Sequence, residues 1–259
     1  MRGTVQATIP RALPPADEVG RLRAQLERVQ GRRLDAPVLP VAPALADLLP
    51  GGGLRPGAAY SLAPSMSLLL ALLSHASQAG SWCGVVGMPQ LGAEAAEGMG
   101  VDLSRLVLVP DPGARWLAVT ATVAEVLPVV AVRPGSRASD GDVSRLAARL
   151  RDRGAVLLVQ GPWAQAEAVL DVGDPAWQGL DRGHGCLVSR AVTITAASRR
   201  WPVPRRARVL LPGPDGGIEA ATERVARHPL VAPLDGPHVD PHETVLDAPL
   251  ELPLAARAG

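Results

Sequence analysis

Four short runs, WCGVVGM (82–88), RLVLVP (105–110), PVVAVRP (128–134) and AVLLVQG (155–161), are apolar at nearly every position, and a helical stretch separates each from the next. A strand that is apolar on both faces belongs inside a parallel sheet covered by helices. Joining two parallel neighbours takes a crossover of about a dozen residues or more. The chain is therefore constrained to an α/β fold, with a mostly parallel twisted sheet flanked by helices. A further strand over 58–62 leads into a helix over 66–79 that is apolar nearly all round, as a buried helix is. Residues 93–100 read as a helix ending at Gly100, and 114–127 as another. DGDVSRLAARLRDR (140–153) is amphipathic, with acid at its start and Arg and Gly154 at its end. Strands predicted over 187–196 and 207–211 have no helix between them, which implies an antiparallel edge. His184, between two glycines, reads as a loop residue.

The ends differ from this core. Residues 1–35 hold a loose proline-containing start and a predicted amphipathic helix over 16–30. Its face carries Val19, Leu22, Leu26 and Val29, and Gly31 stops it. That stripe packs either on its own domain or on a partner. The core runs from 36 to 212. From 213 to 259 the chain is rich in proline and reads as a partly disordered tail.

Composition narrows the chemistry. Of 259 residues, 47% are hydrophobic and 20% charged, and the net charge is +1, so no global basic field draws in nucleic acid. The chain has no Lys, so all 26 of its basic Lys/Arg positions are Arg. A phosphate loop of the Walker type needs a Lys ammonium to reach the β- and γ-phosphates, and this chain has none to offer. Cys83 and Cys186 sit in apolar runs and read as buried inert thiols rather than a disulfide. The N-terminus lacks the apolar stretch of a signal peptide, and no run approaches membrane-span length. A cytoplasmic protein without membrane contact is expected.

LLPGGGLRPGAAYSLAP (48–64) resembles the start of the RecA-type ATPase core, where a Gly-rich turn precedes the phosphate loop. MGVDLSRLVLVPDPG (99–113) resembles the RecA segment joining two core strands. DVSRLAARLRDRGAVLLVQ (142–160) resembles the helix and strand that follow the Walker B strand. The Gly-rich lead-in is most similar to ImuA, the RecA-like subgroup of SOS-induced mutagenesis, and the lost phosphate loop is most similar to its actinobacterial ImuA-prime branch. The resemblance spans residues 40–211 and implies a P-loop NTPase type of fold.

Carried over residue by residue, the resemblance places the phosphate loop on Ala63, Pro64, Ser65, Met66 and Ser67, without the family's glycines or Lys. A helix N-terminus still presents backbone N–H groups, but Met and Leu side chains crowd the cradle. The catalytic Glu falls on Met88, which cannot orient a water. The Walker B Asp falls on Arg133, opposite in sign to what Mg²⁺ requires. Gln160 matches the Gln that couples nucleotide state to DNA binding in RecA, with a structural role at a strand end as the alternative. The resemblance thus implies a pseudo-ATPase with no catalytic residue and no ATP or magnesium cofactor.

SRRWPVPRRAR (198–208) supplies Arg199, Arg200, Trp201, Arg205, Arg206 and Arg208. Arg suits bidentate phosphate contact and Trp suits base stacking, so a patch for single-stranded DNA or an acidic partner stands beside a solvated hairpin edge as its reading. Glu167, Asp171, Asp174 and Asp181 in 163–185 oppose DNA binding there. His238, Asp240, His242 and Glu243 read as a solvated tail, not a metal site. PLELPL (249–254) resembles a sliding-clamp-binding hexapeptide with Pro249 in place of its Gln.

The resemblance implies a non-catalytic accessory protein of translesion synthesis. It would dock an ImuB-type homologue of Y-family polymerases, an error-prone replicative-type polymerase and the sliding clamp assembly. A nucleotide-dependent recombination regulator and a single-stranded DNA-binding protein are the alternatives.

Overall fold

A computed structural model describes residues 37–181 and 184–221, and side chains outside 180–186 within them. The helix predicted over 16–30, with Val19, Leu22, Leu26 and Val29, lies outside the described residues. So do Cys186 as a side chain, the His/Asp/Glu cluster near 240 and the segment 249–254.

Nine strands form one mixed sheet in the order β3-β2-β4-β5-β1-β6-β7-β8-β9. β1 (Ala59–Leu62), β2 (Cys83–Val86), β3 (Leu106–Val109), β4 (Val129–Val132) and β5 (Val156–Gln160) run parallel to their neighbours. β1 also pairs in parallel with β6 (Ala168–Asp181). β7 (His184–Ser198), β8 (Arg205–Leu210) and β9 (Glu219–Ala220) then continue antiparallel. Every residue of β1, β2, β4 and β5 is buried, the burial pattern of strands covered on both faces.

Helices cover the two faces unequally. α1 (Pro43–Ala46), α2 (Met66–Gln78) and α3 (Ala93–Gly98) contribute to one apolar cluster, which reaches from β2 across to Ile194 and Val209. α4 (Trp116–Val126) and α5 (Asp140–Arg153) contribute to a second cluster on the other face, around Val130, Val132, Leu157 and Val159. That second cluster stops short of β6–β8. Val169, Asp171, Ala197 and Arg206 are exposed there, and Thr193, Thr195 and Arg208 are half-buried.

Local signals explain the elements. Ser139 caps α5 by accepting from the Asp142 amide, and the Ser139 hydroxyl, followed by Arg145, holds the Asp142 carboxyl below the usual carboxylate range. Gly154 closes α5 in the left-handed region at φ 69°. Tyr60, fully buried in β1, accepts a 2.9 Å hydrogen bond from the Arg55 amide, which ties the Gly-rich lead-in to the sheet. No helix among the described residues is long and apolar enough to cross a membrane.

Two expectations need correction. Most of the stretch 163–185 is β6, paired with β7 in a hairpin, and His184 opens β7 rather than sitting in a loop. The sheet also continues past residue 212, through Glu219–Ala220.

Candidate functional site

The loops at the carboxyl ends of the parallel strands decide where a ligand can sit. The chain leaves β1 toward α2 on one face, and leaves β4 toward α5 on the other, with β5 between them. Connections that diverge to opposite faces leave a crevice at the strand ends, the usual ligand position in open α/β sheets. Every position that the resemblance matches to a nucleotide site lies at this edge.

On the α2 side, side chains bond to one another across the strand ends. Arg133 follows β4 and donates from Nε (3.1 Å) and Nη2 (2.7 Å) to Oε1 of Gln160, at the end of β5. Gln160 is 5% exposed, and its Nε2 donates to the carbonyl of Ser65 at 3.2 Å. Gln90, with its amide oxygen turned toward Arg133, accepts from the same guanidinium. One hydrogen-bonded chain, Gln90–Arg133–Gln160–Ser65, therefore links the segments after β2 and β4, the end of β5 and the start of α2.

The flanking positions complete the closure. Ser65 caps α2 by accepting from the Leu68 amide at 3.3 Å, and Ala63 donates its amide to the Leu170 carbonyl at 2.8 Å. The loop is thus drawn onto β6. Met66 packs part-buried against the α2-side core, and Met88 is buried in it, so neither presents a polar atom to a ligand. Ser67 is half-buried and Pro64 exposed. A divalent cation about 4 Å from the Arg133 guanidinium would meet a repulsion of about 8 kcal/mol at an effective dielectric constant of about 20. What the arrangement can do is hold three strand ends and a helix cap rigid.

Gly87 permits the closure. Its φ is 76°, and a Cβ there would stand 2.7 Å from the Arg133 carbonyl oxygen. Gly87→Ala is expected to cost about 2 kcal/mol or more, from the left-handed backbone and the forced shift of Arg133 together. The check is a thermal melt, with Tm falling by roughly 4–8 °C.

On the α5 side the same edge is open. A cleft of about 940 Å³ has apolar walls that include Ala63, Pro64, Pro134, Val143, Trp163 and Val169. Ser61, Ser136, Arg137, Asp140, Gln160 and Asp171 supply its polar lining. The volume falls within the range of ligand clefts. Sequence reasoning missed Trp163, Arg137, Asp140 and Asp171 as a group. The available signal was position: Arg137 and Asp140 follow one strand end, and Trp163 follows another after Gly161-Pro162.

The arginine-rich segment is divided among intramolecular partners. Arg200 pairs with Glu167, which also meets Arg55 at 3.2 Å. Arg205 lies 4.1 Å over the Trp201 ring and donates to the Asp47 carbonyl at 2.7 Å. Arg208 donates to Thr193 Oγ1 at 3.1 Å and to the Asp174 carbonyl at 2.5 Å. Arg199 reaches the Ala164 carbonyl at 3.5 Å, the limit of a hydrogen bond. Arg206 is exposed on the open sheet face.

Fold and edge together define the class: a mixed nine-stranded α/β protein whose strand-end crevice is bridged on one side by an Arg–Gln network and open on the other. Residues 47–165 match the model of the family described as the MT3502 N-terminal domain. The chain is 34% identical over 166 residues, 63% of its own length and 74% of the relative's, to a Mycobacterium tuberculosis (strain ATCC 25618 / H37Rv) protein named "Uncharacterized protein Rv3395c". The chain belongs to the family of that protein.

Proposed function

We propose that this protein is a RecA-like accessory factor of the ImuA type, serving SOS-induced translesion synthesis as a protein-docking platform without hydrolysing ATP. One observation carries the reading. The positions matching the family's catalytic seat are not merely substituted; Arg133, Gln160 and Ser65 bond to one another across it. A seat that has become a strut keeps the scaffold and gives up the nucleotide. The strand order β3-β2-β4-β5-β1 supports a RecA-like frame, since it sets the loop after β1 and the ends of β2 and β4 around one crevice. The partners are an ImuB-type polymerase homologue and, through it, an error-prone replicative-type polymerase and the sliding clamp, at lesions on cytoplasmic, nucleoid-associated DNA.

The test is co-expression with the ImuB-type homologue followed by size-exclusion chromatography, where the two are expected to co-elute. Leu22→Asp together with Leu26→Asp is expected to abolish co-elution while leaving the far-UV circular dichroism spectrum unchanged. Separate elution of the unmodified protein and its partner removes the reading. Persistent co-elution of the double variant removes helix 16–30 as the contact.

A single-stranded DNA-binding role draws on Arg206 and Arg208, which share the open face of β8. It requires affinity that falls steeply with salt and with Arg206→Ala.

A further inference from the structure

The open cleft, which shares Ala63, Pro64 and Gln160 with the bridged side, is a feature the docking reading leaves without a task. Its chemistry is specific. The walls are largely apolar and include one aromatic side chain, Trp163, and an aromatic wall suits an extended peptide segment. Its charged side chains are Asp140, Asp171 and Arg137, and among the described residues none of the three makes an intramolecular ion pair. Asp171 sits in a sheet row with Thr195 and Arg206, on the face that α4 and α5 leave uncovered, so the floor extends outward from the cleft. Two acids against one base in the cleft itself disfavour a polyanion, whose binding depends on clustered cations. They complement a basic side chain.

We propose that this cleft is a peptide-docking groove. It takes an extended partner segment with an apolar residue seated against Trp163 and Val169 and an Arg or Lys beside it facing Asp140 and Asp171. Arg137, which also lines the cleft, meets an acidic residue of the same segment. The proposal rests on the docking reading for its biological meaning.

The probe is a phage-displayed library of random twelve-residue peptides, panned on the full chain and measured with the selected peptides by fluorescence anisotropy. Two exposed positions give the variants: Ala164→Trp fills the cleft, and Asp171→Arg reverses its charge. The expected result is a consensus of an apolar residue adjacent to Arg or Lys, with affinity reduced about tenfold or more by each variant. Unchanged thermal melts of both variants accompany that loss. No enriched consensus, a consensus without a basic residue, or equal affinity for the variants overturns the groove. So does cleft-dependent binding of a fluorescein-labelled dT20 oligonucleotide, which would make it a nucleic-acid site. Co-elution of the ImuB-type partner with Ala164→Trp at unmodified strength sinks the groove as its contact, and failure of the unmodified protein to co-elute sinks the docking reading instead.

Discussion

Arg133→Asp is expected to lower the unfolding free energy by about 3 kcal/mol, without conferring nucleotide binding. The substitution places a metal-ligating residue type at the end of β4, so its effect separates a degenerate catalytic centre from a structural one. Arg133 donates twice to Gln160 Oε1, and Gln160 is 5% exposed. A hydrogen bond to a charged group is worth about 1.5–3 kcal/mol, and a buried acceptor stripped of its donors adds its desolvation cost. Asp in that place also sets a carboxylate against amide oxygens. Urea unfolding followed by circular dichroism reads the change. Arg137→Asp is the control: a few residues away it lines the open cleft, and it is expected to cost under about 0.5 kcal/mol. Equal losses for the two variants would show that the network carries no weight.

The second large effect is alkaline unfolding. Burial pushes the Cys83 thiol from 9.0 up to about 12. Burial also pushes the single tyrosine, Tyr60, from 10.0 up to about 12, against the lowering effect of the hydrogen bond from the Arg55 amide. Both groups ionise earlier in the unfolded chain than in the native one. Between about pH 9 and pH 12 the unfolded state therefore binds fewer protons, and stability falls as pH rises. The loss is about 4 kcal/mol from Cys83 and about 3 kcal/mol from Tyr60 by pH 12. Below pH 9 both contributions are fully present. Urea midpoints measured across this window should stay level to about pH 9 and then decline. Cys83→Ala should move the onset of the decline toward pH 10. A profile that stays flat to pH 11 would mean that water reaches both groups.

The parallel half of the fold was legible because its determinants are local. Val129–Val132 and Val156–Gln160 are short apolar runs with no alternation, which fits strands packed on both faces. Helix α5 matches its predicted bounds, 140–153, because Ser139, the first-turn acids, Arg151, Arg153 and Gly154 mark both ends. β6 was not legible. Gly173, Asp174 and Pro175 interrupt it, and Asp174 takes a left-handed φ of 50° where the pairing with β7 shifts register. Each of those residues is a turn signal in sequence, and only the partner strand overrides them.

The site was legible by half. Position-matching set Ser65, Arg133 and Gln160 at neighbouring strand ends, where the structure has them, but it could describe Arg133 only as a missing aspartate. That its guanidinium binds Gln160 depends on β4 and β5 being neighbours with Val132 opposite Val159, a tertiary fact. The arginines of 198–208 show the same limit. A sequence run gathers them, and the fold sends Arg200 to Glu167, Arg205 to Trp201 and Arg208 to Thr193. The cleft around Trp163 was invisible for the opposite reason, since its walls come from four separate stretches of the chain.

The central claim is that the strand-end seat is a strut rather than a nucleotide site. Its most direct test is a titration of the full chain with a fluorescent ATP analogue in the presence and absence of Mg²⁺. The account predicts no saturable change in anisotropy up to millimolar concentrations in either condition. Micromolar, magnesium-dependent binding that unlabelled ATP displaces would contradict it, because triphosphate and metal would then have to enter where Arg133 and Gln160 hold each other.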